Sequence, residues 1–179
     1  MLPALLLASA AAGPVPGETD IPYQGDATWV VGAHTLRVEG QRLLGPEGRL
    51  LASRLTGPPV ADTHHLCAAD EGLDGLGQLR CWDGSLQAVT LVVGGRPGRL
   101  ALGGAMLGWV ASPEGLPQVF VAPVDGSAAP RALTNVGLTR VPGRAPEGFV
   151  PPPLGASLRF DGDLLRWDTP EGPREVRWR

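Results

Sequence analysis

The sequence predicts an all-β fold of short antiparallel strands arranged in repeating units of about forty residues. Three observations carry that prediction. After Ala12 no stretch keeps apolar residues at i, i+3, i+4 and i+7 over a helix length, so helix is scarce. Short alternation recurs instead: Leu36 and Val38 against Arg37 and Glu39, Leu158 and Phe160 against Arg159 and Asp161, Val176 and Trp178 against Arg177 and Arg179. One phrase, an apolar residue, Arg, an apolar residue, then an acid and Gly, also returns along the chain.

The chain has 179 residues, enough for one compact domain or a few small stacked repeats. Apolar residues make up 43% and charged residues 18%, which supplies a core and excludes a highly charged disordered chain. A net charge of -3 gives no basic field for phosphates, so no nucleic-acid partner is expected. The 26 Gly and 19 Pro fall between short apolar runs, as turn punctuation does between strands. All 15 basic residues are Arg, which points to a GC-rich coding bias and discounts part of the Gly, Pro and Arg excess.

At the N-terminus, Leu2 to Ala12 is an apolar stretch ending in small residues, and Ala8-Ser9-Ala10 or Ala10-Ala11-Ala12 suits a signal peptidase. It is too short to span a bilayer. No basic residue precedes it, so the positive n-region is missing, and the alternative is a disordered or core-docked segment. The preferred reading is a signal segment over 1–12, a single β-repeat domain over 23–179, and a periplasmic or secreted location with no transmembrane segment.

The two cysteines, Cys67 and Cys81, each lie in a strand-like run, His64 to Ala69 and Gln78 to Asp83, with the Gly-rich stretch Asp70–Gly77 as the hairpin loop. Antiparallel neighbours of this kind bring two Cβ atoms within disulfide range. In an exported chain the expectation is a Cys67–Cys81 disulfide; in a cytosolic one it is two buried small hydrophobes. Val89 to Val93 and Leu116 to Val121 are more continuously apolar, the pattern of strands buried on both faces. Asp83-Gly84, Asp125-Gly126 and Asp161-Gly162 suit tight hairpins with positive φ at the central residues.

The recurring phrase starts at Leu36, Leu79 and Leu158, and Val119-Phe120-Val121 with Asp125-Gly126 fills the gap, giving spacings of 43, 40 and 39. A second series, Arg54-Leu55-Thr56-Gly57, Val89-Thr90-Leu91, Arg131-Ala132-Leu133-Thr134 and Arg174-Glu175-Val176, follows each phrase. A period near forty with about four strands per unit is that of a β-propeller blade. The expectation is four blade-like units, hence a small or partial β-propeller. Trp178 and Arg179 are placed to pair with Thr28 to Val31 and close a ring, which would protect two sheet edges.

Residues 107–135 carry a more specific pattern: Trp109 and Ser112, Gly115, Gln118 before Phe120-Val121, then Asp125-Gly126 and Leu133-Thr134. This resembles one blade of a TolB-type β-propeller. His64-His65-Leu66-Cys67 with Gly77-Gln78-Leu79-Arg80-Cys81-Trp82 is similar, more weakly, to a repeat of the regulator-of-chromosome-condensation propeller type in its disulfide-bearing form, although Asp83 stands where that pattern has Gly. TolB-type propellers usually have more blades than this chain has units. Such propellers also gate prolyl-oligopeptidase-like peptidases, whose hydrolase domain has no counterpart among these residues.

Candidate chemistry centres on Asp62, His64, His65, Cys67, Asp70 and Cys81. On a strand His65 and Cys67 share a face and Cys81 is a possible third zinc ligand. The spacing matches no common zinc signature, so a disulfide beside strand histidines is preferred. Asp70, Glu71 and Asp74 sit on a Gly-rich loop, where a calcium site would want acids at alternate positions; a solvated acidic turn is the default. There is no Gly-x-Ser-x-Gly elbow, no Walker lysine and no dinucleotide fingerprint. Of the five Trp, 82 and 109 are expected to be core packing residues. The expected function is therefore a non-enzymatic, exported, propeller-like protein that binds a protein partner or associates with the envelope, with no catalytic residue, cofactor or metal assigned. The alternatives are a small metal-dependent hydrolase using His64, His65 and Asp70, or a structural fragment that completes a propeller with a partner chain.

Overall fold

The computed structural model describes residues 23–71, 77–91, 93, 95–140 and 143–179. They form fifteen β-strands and two single-turn 3-10 helices joined by turns and loops, with the strands in four antiparallel sheets that follow one another along the chain. The first sheet holds β1 (Gly25–Val31), β2 (His34–Gly40), β3 (Arg42–Leu44) and β4 (Leu50–Ala52). The second holds β5 (Val60–Ala61), β6 (His65–Glu71), β7 (Gly77–Asp83) and β8 (Ala88–Leu91). The third holds β9 (Gly98–Gly103), β10 (Met106–Ala111), β11 (Gln118–Pro123) and β12 (Arg131–Ala132), and the fourth β13 (Arg159–Asp161), β14 (Leu164–Thr169) and β15 (Gly172–Arg177). Each sheet is a meander in which sequential strands pair, as blade-like repeats require. No helix among the described residues is long and apolar enough to cross a membrane.

The sheets pack face to face over three cores, because strand residues alternate between faces. On β6, Leu66 and Ala68 enter the core shared with the first sheet, with Val31, Leu36, Val38, Leu43 and Trp82. Cys67 and Ala69, pointing the other way, join Leu79, Cys81, Leu107 and Trp109 in the core shared with the third sheet. The third sheet repeats the arrangement: Trp109 faces the second sheet, and Val110 and Val119 face Leu158, Leu165 and Trp167 of the last unit. The middle sheets are thus buried on both faces, while the first and last keep one face for solvent. On the last, Arg166 pairs with Asp161 and Glu175, and Arg159 with Asp168. Trp82, Trp109 and Trp167 are all almost wholly buried, and each large apolar side chain so buried contributes about 1.5–3 kcal/mol.

Several expectations hold. The paired Cys-bearing strands, the scarcity of helix and four sheet units are present; the strands reach Glu71 and Gly77, into the stretch expected as loop, and residues 72–76 lie outside the described residues. Of Leu116 to Val121, residues 118–121 fall in β11, where Val119 packs toward the fourth sheet and Phe120 toward the second. Others need correcting. The segment from Val89 is an outermost strand buried on one face, with Val89 and Leu91 in the core shared with the third sheet and Ala88 and Thr90 exposed on the other. The recurring phrase does not mark equivalent strands: it falls on the second strand of the first sheet, the third of the second and third, and the first of the fourth. Alternation closed by an acid and Gly is what any half-buried hairpin strand requires, whatever its place in a blade. Of the three Asp-Gly pairs, Asp161-Gly162 does lie at a two-residue hairpin, but Asp161 ends β13 opposite Leu164 and the turn itself is Gly162-Asp163, with Gly162 at φ 59. In the turn after β7, Leu86 rather than Gly84 takes positive φ. The ring closure also fails among the described residues. β1 pairs only with β2, and β15 only with β14. Trp178 packs edge-on against Phe160, and its carbonyl accepts a hydrogen bond from Arg131 beside the third sheet.

Candidate functional site

The β6–β7 hairpin organises the chemistry. Its register sets Cys67 directly opposite Cys81 with Cα atoms 4.1 Å apart, the close kind of antiparallel pair, and the two sulfurs are bonded. Both cysteines are buried in the core between the second and third sheets. A cross-link closing a loop of this length stabilises a fold by about 3 kcal/mol, chiefly by restricting the unfolded chain. The bond also removes both thiols from any zinc site.

The other grouped side chains separate. Asp62 Oδ1 accepts the backbone N–H groups of His64 and His65, each at 2.7 Å, and lies 3.6 Å from His65 Nδ1. His65 is opposite Asp83 at one end of the hairpin, and Asp70 is opposite Gln78 near the other; five strand residues span about 16 Å. Asp70 is buried and ion-paired to Arg80, and Glu71 pairs with Arg54 at 3.0 Å. The histidines and these carboxylates therefore do not converge. No group of three or more His, Cys, Asp or Glu suited to a metal occurs among the described residues. Residue 74 of the acidic loop, and the signal segment over 1–12, lie outside the described residues.

What the fold does bring together is a groove of about 620 Å³ between the last strand of the first sheet and the β7–β8 hairpin. Its lining includes Arg49, Leu50, Arg80, Trp82, Leu86 and Gln87, and contains no Asp or Glu. The volume lies within the ordinary range of ligand sites. Arg49 is placed by the tight Pro46–Gly48 turn, where Gly45 N–H donates to the Arg49 carbonyl at 2.7 Å. Leu50, at 54% exposure, stands at the rim. Arg80 crosses the floor: one Nη holds Asp70, the guanidinium lies 5.4 Å from the Trp82 ring centroid, and its buried Nε has no partner. Asp70 already pairs with Arg80, so Arg49 brings the charge at the rim, beside the apolar Leu50.

The turn at the groove's edge is held by Asp83, whose carboxylate accepts Ser85 Oγ at 2.6 Å and Ser85 N–H at 2.8 Å. These bonds, the hydroxyl's foremost, lower the Asp83 pKa below its ordinary value. Asp125 repeats the device with Ser127, with the same direction of shift. Sequence reasoning did not single out Arg49, Leu50 or Gln87. Their only local signal is a Pro-Glu-Gly-Arg turn beside a Leu pair, and it takes sheet stacking to bring them against Arg80 and Trp82.

No protein-family model matches the chain, and no curated protein matches it in sequence.

Proposed function

We propose that this chain is an exported, non-enzymatic, propeller-like binding module that takes an acidic, partly apolar segment of a partner protein into the groove between its first two sheets. The observation that carries export is the buried Cys67–Cys81 disulfide, since such bonds persist in oxidising compartments. The segment resembling a TolB-type blade forms β10, β11 and β12, which supports the propeller-like reading; fold alone assigns no activity, so binding rests on the groove. Within it, Arg49 and the exposed Leu50 supply charge and apolar contact at one rim, and Arg80, its charge met by Asp70, offers its Nε–H at the floor.

The test places a photo-crosslinking amino acid at Leu50 and, as a control, at the exposed Pro173 on β15, in cells that export the chain. An adduct of defined mass at Leu50, absent at Pro173 and lost on Arg49→Glu, is the expected result. Equal labelling at both positions, or none at Leu50, overturns the groove as the binding face.

A further inference from the structure

Strand β1 has one unpaired side. A two-residue turn, Gly32-Ala33, joins Val31 to His34, so these two exchange both ladder hydrogen bonds. By the alternation of an antiparallel ladder, Trp29 with Leu36 and Ala27 with Val38 do the same. The N–H and C=O groups of Asp26, Thr28 and Val30 therefore point to the opposite side. No strand among the described residues pairs there, and none of the backbone hydrogen bonds outside the ladders engages these three residues. Their side chains are exposed, Val30 at 64%.

Most of the other edge strands are short: β4, β5, β8, β12 and β13 have three, two, four, two and three residues, while β9, with six, carries Arg99 and lies against Phe160 of β13. β15 carries Pro173, Arg174, Glu175 and Arg177, the residue types that blunt an edge. β1 has seven residues, no Pro, no basic residue and a single acid, Asp26. An edge of that length and polarity is a template for another strand.

We propose that two copies of this chain associate through β1, antiparallel and related by a two-fold axis at Thr28, so that their first sheets become continuous. This goes beyond the binding function above and uses a different surface. The occupant is a second copy because the strand is complementary to itself: Thr28 faces Thr28, Asp26 faces Val30, and Ala27 faces Trp29. Small meets large, no like charges are directly opposed, and every outward backbone group finds a partner. The same operation centred on Glu175 of β15 would set Glu175 against Glu175 and bring in Pro173, which has no N–H.

Sedimentation equilibrium of the oxidised full chain is expected to show a reversible dimer, weakened about tenfold or more by Thr28→Arg, which opposes two guanidiniums across the axis. Thr28→Cys is expected to form an interchain disulfide on mild oxidation, since a hydrogen-bonded antiparallel pair holds Cα atoms about 5.5 Å apart. Asp26→Cys is expected not to, because the two copies of Asp26 lie at opposite ends of the ladder. Circular dichroism checks that each variant is folded. A wild type that stays monomeric, a dimer indifferent to Thr28→Arg, or cross-linking at Asp26→Cys as fast as at Thr28→Cys overturns the proposal. So does a Thr28→Cys adduct with another protein in place of its own copy.

Discussion

Asn135 and Val150 exchange two hydrogen bonds across the segment that leads from the third sheet to the fourth: Asn135 Nδ2 donates to the Val150 carbonyl at 2.9 Å, and Val150 N–H donates to Asn135 Oδ1 at 2.7 Å. The second amide hydrogen of Asn135 reaches the Pro117 carbonyl at 2.7 Å, and its backbone sits at φ 56. Just before it, Thr134 Oγ1 accepts Val119 N–H, and further on Trp167 Nε1 donates to the Pro151 carbonyl. A connection of this length between sheets is thereby fixed at defined points.

Asn135→Ala is therefore expected to destabilise the fold by about 3 kcal/mol, since it leaves a buried N–H and two carbonyls without partners and puts Ala in the left-handed region. Asn135→Gly loses the same bonds without the backbone strain and is expected to be about 1 kcal/mol less damaging. Chemical denaturation of the two variants separates the contributions. Equal losses would mean that the backbone conformation costs nothing there.

Asp70 and Arg80 form an ion pair in which the carboxylate is 3% and the guanidinium 24% exposed. Asp70→Asn, which leaves Arg80 without a counter-charge, is expected to cost about 3 kcal/mol, the lower end for a broken buried pair because Arg80 retains some water. Asp70→Leu with Arg80→Met should recover most of the loss. If the double variant is no more stable than the single one, the pair is not what the site needs.

Gly32 at φ +58 approaches Gly84 so closely that a Cβ would lie 3.0 Å from the Gly84 Cα. Gly104, at φ +59, has open space around it. Both Gly→Ala variants carry about 1–2 kcal/mol of left-handed strain, and Gly32→Ala is expected to lose roughly 1 kcal/mol more for the overlap between the two hairpin tips. Thermal melts of the pair measure that difference directly.

The Asp83 carboxyl, held ionised by Ser85, has a folded pKa below its unfolded value of 3.8. Its contribution to stability is present above the unfolded value and is lost as pH falls through the folded one. Ser85→Ala should move the NMR-detected Asp83 titration upward and lower stability at neutral pH, where the bond to the carboxylate is present, while affecting it less once the pH has fallen below the folded pKa. An unchanged titration would assign the shift elsewhere.

Local patterns were legible and spatial ones were not. Alternation in Leu36–Glu39 determines which residues share a face, and the Cys-loop-Cys run which two strands pair, and both match the structure; the register does not follow from either. Whether a strand is central or outermost depends on its neighbours, and for that reason Val89 looked doubly buried and is not. The repeated phrase located hairpin strands but not their rank in a sheet. The groove was invisible for the same cause: Arg49 precedes β4 of the first sheet and Arg80 lies in the second, and only stacking sets them on one surface. Asn135 stood out as the sole Asn, yet its role depends on Val150, which no spacing rule connects to it.

The central claim is an exported, disulfide-bonded binding module, and it is tested most directly by intact mass and free-thiol titration of the protein recovered from the cell envelope, with metal content read on the same sample. The account predicts a mature chain beginning near Ala11 or Gly13, with no titratable thiol and no stoichiometric metal. An uncleaved chain with Cys67 and Cys81 both free and zinc bound would contradict it.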